Sequence, residues 1–204
     1  MLSARRTAST LMAALVFAGL AACSNTAEAE GPGPIYDTGP PGSEISDEVY
    51  NALGPLLVMK FDITGAATVK GTTTATAPSG GRGPLATCSE YAGGTADNEY
   101  IMAGELDESV GDVGVSMELR IANYAGPGTY PKSQLVAAEG RRPSIWIEDD
   151  NYDISRDSTT GQVTTDGKGG GKWTFTNLAS TRGGDTITGT VSWTCEKRKP
   201  RKTS

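Results

Sequence analysis

The chain has 204 residues, with 24 acidic against 18 basic for a net charge of −6, three cysteines and no histidine. Without an imidazole, catalysis by a histidine base and the usual zinc, copper and non-haem iron sites are excluded. The acidic balance speaks against binding nucleic acid, and 27 glycines with 25 threonines favour short strands and tight turns over helices.

Arg5 and Arg6 precede an apolar or small-residue run from Leu11 to Ala22, which ends at Cys23. A basic start, a core of about a dozen residues and a small-residue end predict a secretory signal peptide over residues 1–22. The run is shorter than the about 20 residues needed to span a bilayer. The four residues Leu20-Ala21-Ala22-Cys23 resemble the lipobox of bacterial lipoproteins. That resemblance implies a diacylglycerol on the Cys23 thiol, cleavage before it and often further acylation of the new amino terminus. The mature chain would then have 204 − 22 = 182 residues, anchored by lipid to a cell membrane and facing away from the cytoplasm. One acyl chain holds a protein only marginally, whereas two or three hold it stably.

Residues 24–46 are Gly, Pro, Ser and acid with almost nothing to bury, and with Cys23 they read as a lipidated, disordered tether. Residues 47–196 are enough for one domain with one core. At its start, 47–57 predicts a short helix capped by Ser46 and ended by Gly54-Pro55. Beyond it the dominant period is two. Leu57–Thr64 and Ala66–Ala77 read as strands. Tyr100, Met102 and Leu106 alternate weakly, and Val113, Val115, Met117, Leu119 and Ile121 alternate strongly. Trp173 and Phe175, and then Ile187, Val191, Trp193 and Cys195, repeat the pattern, with Gly-rich and Asp-Asp-Asn clusters at hairpin intervals. The expectation is an all-β fold, an antiparallel β-sandwich or barrel.

With Cys23 assigned to lipid, Cys88 and Cys195 remain as an even pair in an oxidising setting, which predicts a disulfide. The acidic stretch 148–157 offers the sharpest chemistry. Asp149, Asn151, Asp153 and Asp157 fall at positions 1, 3, 5 and 9 of an EF-hand-like calcium loop, which makes calcium the candidate cofactor. Ile154 stands where that loop needs Gly and Thr160 where it needs Glu. The competing reading is a hairpin, entered by Ile145 and Ile147 and turning at Asp149-Asp150-Asn151. Trp146 should point away from Ile145 and Ile147, as an outward aromatic able to stack a sugar. Lys168-Gly169-Gly170-Gly171-Lys172 lacks the spacing of a phosphate loop and reads as a flexible turn. Residues 197–204 form a flexible basic tail with Lys197, Arg198, Lys199, Arg201 and Lys202. Residues 23–195 carry 11 basic and 23 acidic charges, a net of −12.

The body has a resemblance of its own. Gly126-Pro127-Gly128-Thr129-Tyr130 after an alternating strand, with the closing strand Gly189-Thr190-Val191-Ser192-Trp193-Thr194-Cys195, is similar in plan to small mycobacterial-type lipoprotein antigens. The resemblance implies location and fold rather than a reaction. The functional expectation is a non-catalytic binding or interaction module, with the membrane and a cell-wall polymer or glycan as partners. The alternative is a secreted hydrolase that works on envelope glycan with carboxylates alone.

Overall fold

The computed structural model describes residues 45–138 and 141–201. The predicted signal peptide, the lipobox with Cys23, the tether up to residue 44 and the last residues of the basic tail lie outside the described residues. Among those described, no helix is long and apolar enough to cross a membrane.

Helix α1, Asp47–Ala52, begins where Ser46 Oγ accepts from Val49 N at 3.3 Å, and Leu53 leaves it in an extended conformation. Gly54-Pro55 follows, and the proline ring disfavours helical backbone in the residue before it. Then come β1 (Leu56–Gly65), β2 (Val69–Thr76), helix α2 (Cys88–Ala92), β3 (Tyr100–Ile101), β4 (Val115–Glu118), β5 (Arg120–Ile121), β6 (Gly128–Pro131) and β7 (Leu135–Val136). The chain closes with β8 (Ser144–Ile147), β9 (Asp150–Asp153), β10 (Thr160–Thr165), β11 (Gly171–Ser180) and β12 (Thr186–Glu196).

The fold is the predicted antiparallel β structure. Nine strands form one sheet in the order β2-β1-β12-β11-β9-β8-β4, with β10 and β6 branching from β11, and the sheet curls as a half-barrel. The smaller sheet, β3-β5-β7, shares its core. Long pairings hold the centre: β1 meets β12 from Leu56↔Glu196 to Gly65↔Ile187. Alternation then places Leu57, Met59, Phe61 and Ile63 of β1 inside with Ile187, Val191 and Trp193 of β12.

The branch has a local cause. β11 pairs with β10 up to Thr176, and beyond a bulge it pairs with β9 at Ala179↔Asp153. Asn177 in the bulge takes a left-handed φ of 57°. It is fastened on both sides, its N donating to Thr188 Oγ1 at 3.1 Å and its carbonyl accepting from Thr159 Oγ1 at 2.6 Å. A bulge of this kind bends a strand and raises its twist, which lets one strand serve two neighbours.

The run 113–121 and the last described segment both differ from the sequence expectation. The alternating run 113–121 keeps its buried face at Met117, Leu119 and Ile121, but it divides at Leu119 between the two sheets. Met117 N donates to Gly104 O and Met102 N to Leu119 O, both at 3.0 Å, so the strand changes partner without changing face. Residues 197–201, expected as a flexible tail, make specific contacts. Arg198 donates to Gly54 O at 3.0 Å and to Thr76 Oγ1 at 2.7 Å, and Arg201 N donates to Asn51 Oδ1 at 2.9 Å.

The predicted bridge is present: Cys88 at the start of α2 is joined to Cys195 near the end of β12, with Cα atoms 5.7 Å apart. Beside it lies an aromatic cluster. Tyr100 packs between Tyr91 and Tyr124, each 4.9 Å away between ring centroids. Its hydroxyl accepts from Trp193 Nε1 at 3.0 Å and donates to Gly169 O at 3.2 Å. Gly169 belongs to the turn read as flexible, yet it is buried, with φ at 89°, and a Cβ there would lie 2.8 Å from Cys195 Cβ. Asp166 Oδ1 closes that turn by accepting from Lys168 N and Gly170 N.

Opening the bridge frees a loop of 107 residues in the unfolded chain. Cys195→Ala should therefore cost up to about 4–5 kcal/mol, read as a lower urea midpoint, and reduction of the unaltered protein should lower it equally. Burial pushes the Tyr91 and Tyr100 hydroxyls upward, against the Trp193 hydrogen bond to Tyr100. A raised value favours the neutral phenol in the fold, so this stabilisation is complete below the ordinary tyrosine value of about 10 and is lost as pH rises above it. Urea midpoints should fall from about pH 10 upward, and the fall should be shallower in Tyr91→Phe.

Candidate functional site

The hairpin β8–β9 pairs with β4 on one side and reaches β11 on the other. Ile145 and Ile147 point into the core, so Trp146 must point out, and it is 42 % exposed. Trp173 and Trp193 are 0 % and 3 % exposed, which leaves Trp146 as the accessible tryptophan of the three. Its cross-strand neighbours on the same face are Ser116 of β4 and Asn151 of β9. Asn151 is half-buried, and its Oδ1 has no hydrogen-bond partner. Gly114, Val115, Ser116, Trp146, Glu148 and Asp149 line a shallow, open hollow beside the indole.

The two-residue turn of this hairpin is Glu148-Asp149, since Ile147 already pairs with Asp150. It falls earlier than the predicted Asp149-Asp150-Asn151, whose last two residues stand in β9. Glu148 takes a left-handed φ of 51°, a conformation that costs a non-glycine residue about 1–2 kcal/mol. Two contacts with Gly114 hold it there. Glu148 N donates to Gly114 O at 2.9 Å, and Gly114 N donates to Glu148 Oε1 at 2.7 Å. The acid at the rim of the hollow is thus also a structural anchor.

The candidate calcium ligands are dispersed by the same hairpin. Asp149 is in the turn, Asn151 and Asp153 stand along a strand, and Asp157 lies in the exposed segment that follows. A calcium loop must wrap its oxygens around one point, whereas a strand spaces alternate side chains by about 6.6 Å along a line. Asp153 is 8 % exposed; its Oδ1 accepts from Ser155 N at 2.8 Å and its Oδ2 is 3.9 Å from Arg142 Nη1. Among the described residues no group of three or more Cys, Asp or Glu side chains is placed to hold a metal ion. The calcium reading is therefore replaced by the hairpin. Inside the hairpin, burial raises the Tyr152 hydroxyl, followed in effect by its hydrogen bond with Asp150.

The segment before β8 bounds the face on its other side. Glu118 Oε2 pairs with Arg141 at 3.1 Å, and its Oε1 accepts from Ala138 N at 2.9 Å. The outward carboxylates of Glu118 and Asp153 are thus occupied, and the open part of the face is the Ser116–Trp146–Asn151 row with Glu148 and Asp149 at its end. The alternation around Ile145 and Ile147 was enough to turn Trp146 outward. Its two flanking residues depend on register, and the Glu148-Asp149 turn length that sets this register is masked in the sequence by a run of similar acids.

No family model matches the chain, and comparisons with curated proteins and with solved structures yield no match. The site therefore has to be interpreted from its own chemistry.

If the acidic stretch is a hairpin, millimolar calcium should leave the thermal midpoint where a chelator leaves it. Differential scanning calorimetry with each additive checks this, and a calcium-dependent rise of several degrees would restore the metal.

Proposed function

We propose that the protein is an exported lipoprotein, anchored to the cell membrane through Cys23, whose β domain is a non-catalytic module that binds envelope glycan on the Trp146 face. The observation that carries the binding reading is the exposed indole, on an outer sheet face otherwise made of short polar residues. A pyranose ring has an apolar face of C–H groups and a rim of hydroxyls. Stacking that face on an indole removes apolar area from water, while side chains beside the ring meet the hydroxyls. Ser116, Glu148 and Asp149, which line the hollow, are suited to the second task, supplying hydroxyl and carboxylate groups. The openness of the hollow suits a polymer, which must pass through a site rather than be enclosed by it.

The anchoring reading rests on the sequence alone: the lipobox Leu20-Ala21-Ala22-Cys23 at the end of a signal peptide. A carboxylate hydrolase would need two acids free to act at a scissile bond. Glu148 and Asp149 are adjacent in the turn, and Glu148 Oε1 is engaged by Gly114 N. That favours binding over cleavage.

Purified peptidoglycan or its soluble fragments are the probe. Binding should change the fluorescence of Trp146, and Trp146→Ala should weaken binding at least about tenfold, equal to 1.4 kcal/mol, with an unchanged urea midpoint. Equal binding by the variant would overturn this site, and release of shortened glycan would establish the hydrolase instead. For the anchor, Cys23→Ser should move the protein from the membrane fraction to the soluble fraction; persistence in membranes would refute it.

A further inference from the structure

The carboxylates around Trp146 divide into those with a partner and those without. Glu118 pairs with Arg141, Asp153 lies by Arg142 and accepts from Ser155 N, and Asp150 Oδ1 accepts from Ser180 Oγ at 3.0 Å. Glu148 and Asp149 have no ion pair among the described residues. Of their four side-chain oxygens, only Glu148 Oε1 accepts a hydrogen bond there. The same two residues line the hollow beside the indole, and no lysine or arginine lines it. The hollow therefore has a formal charge of −2, in a body whose residues 23–195 sum to −12.

That charge is fixed in position. Gly114 N holds Glu148 Oε1 at 2.7 Å, and a Cβ on Gly114 would lie 3.7 Å from both carboxylate oxygens. The carboxylate thus lies against the glycine wall of the hollow, with Oε2 left unoccupied. Asp149 completes the two-residue turn beside it. Exposed apolar ring and unpaired anions therefore share one concave place.

We infer that the sugar seated on Trp146 is cationic: an amino sugar with a free ammonium, such as a glucosamine unit without its N-acetyl group. The inference rests on the glycan reading of this face and names the class of glycan. An ammonium has N–H donors and no acceptor, which suits oxygens that only accept. Its hydrogen bonds to carboxylates are charge-assisted and stronger than those of a sugar hydroxyl. A cation within about 6 Å of the indole is also drawn to the negative face of the ring. An N-acetyl group fits less well, because it keeps one N–H and sets a carbonyl oxygen against two carboxylates. The acidic body draws a cationic polymer from a distance, and the hollow gives it one place to seat.

The test is calorimetry of the purified protein with glucosamine oligomers and with N-acetylglucosamine oligomers of equal length. The glucosamine oligomers should bind at least about tenfold more tightly. In 1 M sodium chloride, where the Debye length is about 3 Å, most of that preference should vanish. Glu148→Gln/Asp149→Asn should bring glucosamine binding down to the N-acetyl level of the unaltered protein, with an unchanged urea midpoint. Asp47→Asn/Glu48→Gln, in the first turn of α1 and outside the hollow, should leave the preference intact. Equal affinity for the two oligomers, both weakened by Trp146→Ala, would overturn the cationic sugar and leave the glycan face standing. Glucosamine binding undiminished in Trp146→Ala, or weakened as much by the α1 pair, would overturn it as general attraction between opposite charges. A short lysine peptide that binds as tightly would also overturn it, by assigning the ammonium to a peptide. Binding of neither oligomer would refute it too, and the peptidoglycan measurement then judges the glycan face separately.

Discussion

Three parts of the chain converge on Gly169, and the position admits no side chain. The Cys88–Cys195 bridge lies on one side, the Tyr91 ring on another, and its own carbonyl accepts from the Tyr100 hydroxyl. The bridge ties α2 to the last strand, the hydrogen bond ties β3 to the β10–β11 turn, and Trp193 Nε1 joins β12 to both through the same hydroxyl. A Cβ at Gly169 would meet the disulfide, and the left-handed backbone would strain any residue that carried one. The smaller sheet is thus held against the larger by a contact that tolerates little displacement. A protein interior packed like a crystal transmits such a displacement rather than absorbing it.

The second constraint is the bulge at Asn177. Without it β11 would continue beside β10, and the β8–β9 hairpin would have no strand edge to join. With it, β9 docks at Ala179 and Ser180, and β8 and β4 follow outward from there. Trp146 stands exposed because this part of the sheet has its inner face filled by Met117, Ile145 and Ile147, which turns the residue between the two isoleucines outward.

The strands were legible because each has one wet and one dry face. Leu57, Met59, Phe61 and Ile63, or Ile187, Val191 and Trp193, signal both an extended backbone and the direction of the core. The same signal turned Trp146 outward correctly, whereas the two cysteines were paired by their even number in an oxidising setting. It failed where hydrogen-bond partners change without a change of face, as at Leu119, since period two reports burial and is silent about which strand lies alongside. It failed again at α2, whose five residues are too few to display a helical period. The acidic stretch left two readings open, of which the hairpin is the one present. Ligand spacing for calcium and alternation along a strand both place oxygens at every second residue, and only the turn position separates them.

The sequence by itself determined the all-β class, the inward and outward faces of most strands, and the bridge between Cys88 and Cys195, and it offers the leader and lipobox as expectations. These follow from local pattern and from compartment, and both are written in the order of residues. Tertiary structure alone decided the branching of β11, the burial of the glycine turn against the disulfide, the partners of Trp146 and the seating of Arg198 and Arg201 on Tyr50. Each of these joins residues far apart in the chain through register or close approach. Linear spacing carries no record of which distant backbone will come to lie within hydrogen-bond reach.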